Sequence, residues 1–215
     1  MGTAERKRPR RTRERILETS LALFNASGAP HVTTADIADE MNISPGNLYY
    51  HFSNKDEIVL ELYVAYEARV LPLYADPRGR SLGVEDLWLW LHVQHEAMWE
   101  YRFLYRDLTE LTSRDRRLRT RVAALIRKGA TTVVEWCREM AETGTMRISA
   151  REIEALADNV MLIAAYWPAY DRNRRATLDD APDPGRAAYQ VLSLFGPYFA
   201  DEARTHLDRL SAAYL

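Results

Sequence analysis

Between Gly46 and His51 the chain reads Gly-Asn-Leu-Tyr-Tyr-His, an amide, two phenols and an imidazole around one apolar side chain. An amide can pair with the N6/N7 edge of adenine or contact guanine, which makes Asn47 a candidate for reading bases. Gly46 has no side chain, so its backbone can approach the bases. Tyr49 can touch a thymine methyl or a phosphate. Tyr50, His51 and Lys55 sit where phosphates are the more natural partners. Thr33, Thr34 and Ser44 are hydroxyls at predicted helix starts, where free amides also suit phosphate. The alternative for Tyr49, Tyr50 and His51 is a packed hinge against the helix that follows.

These side chains need a scaffold, and the stretch from Thr33 to Lys55 supplies one. Thr33 and Asp36 have capping-box spacing, and Ile37, Ala38 and Met41 follow at helical intervals. Asn42 tolerates a left-handed turn, as glycine does. Ile43 plugs the turn, and Ser44-Pro45 is a second start signal: a hydroxyl cap, then a residue whose fixed φ suits the first helical position. Leu48 and Phe52, four apart, face inward. Two short helices on a tight turn make a helix-turn-helix, whose second helix can enter a major groove.

The net charge of −2 hides an asymmetry. Arg6, Lys7, Arg8, Arg10, Arg11, Arg13 and Arg15 fall within ten residues, opposed there only by Glu14. Such a run can be a disordered solubilising tail. Next to a helix-turn-helix it can meet phosphate, and Arg11, where the first helix is predicted to begin, is the candidate. The 47% apolar and 28% charged fractions suit a globular protein. No apolar run is long enough to span a bilayer, and no apolar segment follows the N-terminal basic residues to make a secretory signal. Cys137, the one cysteine, excludes an intramolecular disulfide and fits a cytoplasmic protein.

The periodicity predicts an all-α chain: an N-terminal three-helix head and a larger helical body. Residues 1–10 read as a disordered basic arm, 11–27 as an amphipathic helix ended by Gly28, and the head as 1–52. The body, 53–215, starts with a helix capped by Ser53 and Asn54 and ended by Pro72. A linker at 74–83 follows, then helices at 84–101, 103–113 and 116–143. Ser149 and Glu152 box the start of a helix to about Pro168. A polar loop at 171–184 precedes a helix broken at Gly196-Pro197 and a last amphipathic segment.

From Thr33 to Lys55 the sequence resembles the tetracycline-repressor (TetR) family of bacterial regulators. The agreement runs through Thr33, Asp36-Ile37-Ala38, Ile43-Ser44, Gly46, Leu48-Tyr49-Tyr50-His51-Phe52 and Lys55-Asp56-Glu57, with Gly28 upstream. Ala29, Val32 and Asn42 depart from the family's common pattern. Residues 101–119 look like one recurring version of its ligand domain. The resemblance implies a homodimer that binds a double-stranded DNA operator, most often as a repressor, and loses DNA affinity when a small-molecule effector binds the body.

Aromatic residues crowd that body, and Trp88, Trp99, Phe103, Tyr105, Trp136, Tyr166 and Trp167 are the candidates for lining an effector pocket. Each is also explained by core filling. The late amphipathic helices at 152–167 and 185–199 are candidates for a dimer interface. His92, His95 and Glu96 fall within one turn but read as ordinary surface or core residues, so no metal and no cofactor is expected. Without a phosphate loop, nucleophile elbow or paired carboxylates, the chain does not read as an enzyme. The rival class is a helical small-molecule carrier or enzyme with a vestigial head.

Overall fold

A computed structural model describes residues 7–74, 82–174 and 184–212. Among them every regular element is helical, and the one β-bridge joins Met146 to Phe199. In order the helices are α1 (Lys7–Ser27), α2 (Thr34–Glu40), α3 (Pro45–His51), α4 (Lys55–Val70), α5 (Val84–Glu100), α6 (Arg102–Arg106), α7 (Leu108–Arg114), α8 (Arg116–Glu142), α9 (Ala150–Arg174), α10 (Pro184–Phe195) and α11 (Asp201–Ser211). Short 3-10 turns occupy 29–31, 71–74 and 196–198.

The chain forms two compact units, and they are not divided at residue 52. One gathers the chain through Glu67 together with Tyr101–Thr120; the other holds Ala68–Glu100 and the chain from Arg121 onward.

The first unit packs around Ile16, Phe24, Ile37, Leu48, Phe52, Ile58, Leu62 and Phe103, all buried. Each such side chain contributes roughly 1.5–3 kcal/mol by leaving water. α1 ends at Gly28, whose φ of 96° lies in the left-handed half of the map. A Cβ at Gly28 would also stand 3.1 Å from Arg106 Nη2. The polypeptide at 101–120 is tied to this end of α1. Arg106 donates to the carbonyl oxygens of Phe24 and Asn25 at 2.6 and 3.3 Å, and Asn25 Oδ1 accepts from the Phe103 N–H at 3.1 Å.

In the second unit α10 packs on α9 and α5, and α11 on α5. Its core includes Leu87, Leu91, Val133, Cys137, Met140, Val160, Ala188, Leu192 and Phe195. Gly144, at φ 80°, closes α8. Ser149 and Glu152 then open α9 through reciprocal hydrogen bonds.

Several sequence-based boundaries move. Residues 7–10 belong to the first turn of α1, not to an arm; 1–6 lie outside the described residues. The helix predicted at 103–113 is two helices that meet at Asp107, whose carboxylate is engaged by the Ala29 N–H at 3.0 Å. α9 runs past Pro168 to Arg174, because Asp171 is buried and ion-paired with Arg174 at 2.8 Å. The rest of the polar loop at 175–183, and residues 75–81 of the predicted linker, lie outside the described residues.

Candidate nucleic-acid interface

The helix-turn-helix is built from the caps its sequence offers. Thr33 Oγ1 accepts from the Asp36 N–H at 3.1 Å, and Asp36 Oδ2 accepts from the Thr33 N–H at 2.7 Å, which completes the box that starts α2. The backbone N–H and hydroxyl of Thr33 hold the Asp36 carboxyl below its ordinary pKa. Asn42 takes φ 53° at the turn, donating to Asp39 O at 3.0 Å, and Ile43 N–H returns to Ala38 O at 2.9 Å. Ser44 Oγ accepts from the Asn47 N–H at 3.2 Å and caps α3.

These caps leave α3 with two unlike faces. Leu48 and the following Phe52 are buried. Pro45, Gly46, Asn47, Tyr49 and Tyr50 are exposed, as are Thr33, Ser44 and Arg11. Tyr50 is 78% exposed, so it is not a packed hinge; its ring meets the His51 ring edge-on at 5.1 Å. Tyr49 and Thr34 share a hydrogen bond at 3.0 Å, which pins the outward face of α3 to the start of α2. Sequence reasoning missed this pairing because fifteen residues separate the two. Gly46 is free of internal constraint. A Cβ there would find only Ser44 Oγ, at 4.0 Å, and its φ is not positive. Nothing in the chain's own packing calls for glycine at that position.

Lys55, a candidate for phosphate contact, and Arg13, from the N-terminal basic run, are committed inside the unit. Lys55 Nζ donates to Ala29 O at 2.6 Å and Val32 O at 2.8 Å. It therefore braces the segment between α1 and α2 rather than projecting a free ammonium. Burial, then the charge of Arg114, lowers its pKa. Arg13 lies over the Phe52 ring at 4.7 Å and pairs with Glu61 at 3.0 Å.

Two family profiles match the chain. One, described as bacterial regulatory proteins of the tetR family, covers residues 16–62, from α1 into α4. The other, described as a bacterial transcriptional repressor, covers residues 65–207 of 215.

The chain belongs to the TetR family.

A crystal structure of a TetR-family transcriptional regulator from Marinobacter aquaeolei VT8 is 32% identical to it, with a TM-score of 0.83 over 94% of this chain and 98% of that one. The transcriptional regulator TcmR of Streptomyces glaucescens is 35% identical over 34% of this chain and 32% of its own length. The transcriptional repressor KstR2 of Mycobacterium tuberculosis is 38% identical over 30% of this chain and 32% of its own. The match spans 24% to 54% of the first curated relatives' length.

In this TetR-family chain the seven aromatic candidates for an effector pocket are divided between the two units. Phe103 and Tyr105 belong to the first unit. Phe103 packs on Phe24 with ring centroids 5.2 Å apart, and Tyr105 meets Tyr66 ring to ring at 5.7 Å and hydroxyl to hydroxyl. In the second unit Trp88 stacks on His92 at 5.2 Å, and Trp167 lies against Tyr170 at 5.4 Å. Trp99 and Tyr166 are 39% and 46% exposed. Trp136 meets a tryptophan outside the predicted set, Trp90, edge to face at 5.5 Å. Cys137, fully buried, has its thiol pushed up to about 12 by burial, which suits packing and not redox sensing.

Proposed function

We propose that the chain is a homodimeric repressor, acting in the cytoplasm on a palindromic operator and released from it by a small apolar or aromatic effector. The observation that carries this reading is the exposed face of α3. Gly46, Asn47, Tyr49 and Tyr50 are held outward on a helix whose inward face is locked by Leu48 and Phe52. In this reading Asn47 reads bases, Tyr49 and Tyr50 with His51 meet backbone or methyl groups, and Thr33, Thr34, Ser44 and Arg11 position the head on phosphates. Lys55 supports them from behind. Residues 1–52 would carry DNA recognition and 53–215 effector binding and dimerisation.

Dimerisation is supported by α9. Leu162, Tyr166 and Tyr170 recur every four residues and are 58%, 46% and 59% exposed. An apolar stripe of this kind, beside α10, suits a four-helix interface with a second copy. Release follows if the effector prefers a conformation in which the two heads no longer match successive major grooves. α6 begins two residues after α5 ends, and Arg106 and Asp107 tie this segment to the end of α1.

The test is an anisotropy titration of the full chain against duplex DNA from beside its own coding region. Specific binding should exceed non-specific binding by about a thousandfold or more and fall steeply with salt. Equal affinity for the palindrome and a scrambled duplex would reject the reading. Sedimentation should show a dimer that Tyr166→Glu weakens.

A further inference from the structure

Among the polar groups of the second unit that are buried without a hydrogen-bond partner among the described residues, three lie close together. They are the Nε1–H of Trp90 on α5 and, on α8, the Nε1–H of Trp136 and the hydroxyl of Thr132. Trp90 is 7% exposed and Thr132 1%. The two indoles are in edge-to-face contact at 5.5 Å. Thr132 and Trp136, four residues apart, share one face of α8. Tyr74 packs on Trp90 at 6.0 Å, and Gln94 hydrogen-bonds to its phenol. Gly129, one turn before Thr132, completes the layer. A Cβ there would stand 3.5 Å from Tyr74 Cε1 and 2.7 Å from Met161 Cε, on α9.

Buried donors are rarely left unpaired, since each has given up water for nothing. The neighbouring Thr131 returns its hydroxyl to Arg127 O at 3.0 Å, the usual escape for a helical threonine. Thr132 does not. Burial raises the Tyr74 pKa well above its ordinary value, as expected where a charge is refused. The flexible thioether of Met161 lies over Gly129, where no side chain competes with it.

We propose that Tyr74, Trp90, Gly129, Thr132, Trp136 and Met161 form the effector site, and that it takes a flat, neutral, aromatic molecule bearing a carbonyl oxygen. The oxygen accepts from the indole N–H groups and the Thr132 hydroxyl, while the ring packs on Trp90, Trp136 and Tyr74. Met161 swings off Gly129 to admit it. A carboxylate would find no cation among these side chains. The inference rests on the reading of the chain as an effector-released repressor and names the chemistry of that effector.

The test uses the full chain labelled with ¹⁵N at its five tryptophans, so that each indole N–H gives its own signal. Trp90→Phe and Trp136→Phe assign two of them. The probes are 9-fluorenone, fluorene (the same ring system without the oxygen) and fluorene-9-carboxylate. Fluorenone should move both assigned signals downfield with saturation and bind about tenfold tighter than fluorene by calorimetry, a margin that Thr132→Val narrows. The carboxylate should bind weakest. Silent Trp90 and Trp136 signals, equal shifts from fluorene, or tighter binding of the carboxylate would overturn the proposal. Operator binding is measured on the same protein. Silent indoles in a chain that binds its operator sink the site and leave the repressor standing. Responding indoles in a chain that binds no operator do the reverse.

Discussion

The backbone N–H of Ala29 donates to Asp107 Oδ2 at 3.0 Å, across 78 residues of sequence. Ala29 is fully buried, so this carboxylate satisfies an amide that water cannot reach. Asp107→Ala should therefore destabilise the protein by about 1–3 kcal/mol, read as a lower urea midpoint. Asp107→Asn keeps an acceptor and should recover most of the loss. An unchanged midpoint in Asp107→Ala would make the contact incidental.

The sequence places Lys55 where it can meet phosphate, but its ammonium is held by two carbonyl oxygens of its own chain. Lys55→Met should leave the slope of log K against log salt intact, because no DNA counterion contact is removed. It should instead lower the stability of the folded chain by about 1–2 kcal/mol, since Ala29 O and Val32 O lose a shared charged donor. A salt slope smaller by about one, with stability unchanged, would restore the phosphate assignment.

Gly46 separates folding from recognition. Nothing internal obstructs a methyl group there, and alanine is the better helix former by roughly 0.5–1 kcal/mol. Gly46→Ala should thus fold at least as well as the parent while binding operator more weakly. A variant that is more stable and binds operator unchanged would show that the backbone at 46 does not approach DNA.

His95 gives the folded state a pH dependence. Its Nδ1–H donates to Leu91 O at 2.8 Å, and burial, outweighing that bond, lowers its pKa below the ordinary value of 6.5. The unfolded chain takes up a proton near pH 6.5 that the folded chain still refuses, so stability from this group falls as the pH drops below about 6.5 and levels off below the folded pKa. Urea unfolding from pH 7 to 5 should show the parent losing stability faster than His95→Leu, by at most about 1.4 kcal/mol per pH unit. Parallel curves would mean that His95 protonates equally well in both states.

Local signals in the sequence carried the head. The Thr33–Asp36 box, the left-handed Asn42 and the Ser44-Pro45 start each act within four residues, and each has the predicted geometry. Gly28 and Gly144 likewise end helices where the pattern puts them. Long-range competition was not legible. Nothing near Lys55 signals that carbonyls 23 and 26 residues earlier claim its ammonium. Asp107 divides a helix whose own periodicity is continuous because Ala29 engages its carboxylate. The surroundings of each aromatic side chain were not legible for a related reason: composition counts tryptophans, but it does not tell Trp90, which meets Trp136, from Phe103, which fills the core behind Phe24.

A fragment ending at Glu67 would contain every residue proposed to touch DNA, yet it would lack the ring that packs on Phe24 and the carboxylate that satisfies Ala29. DNA reading in this chain is therefore not a detachable module. A head transplanted between relatives would have to bring Tyr101–Thr120 with it, two insertions in place of one, and a graft that ignored the second would expose an aromatic core to aggregation.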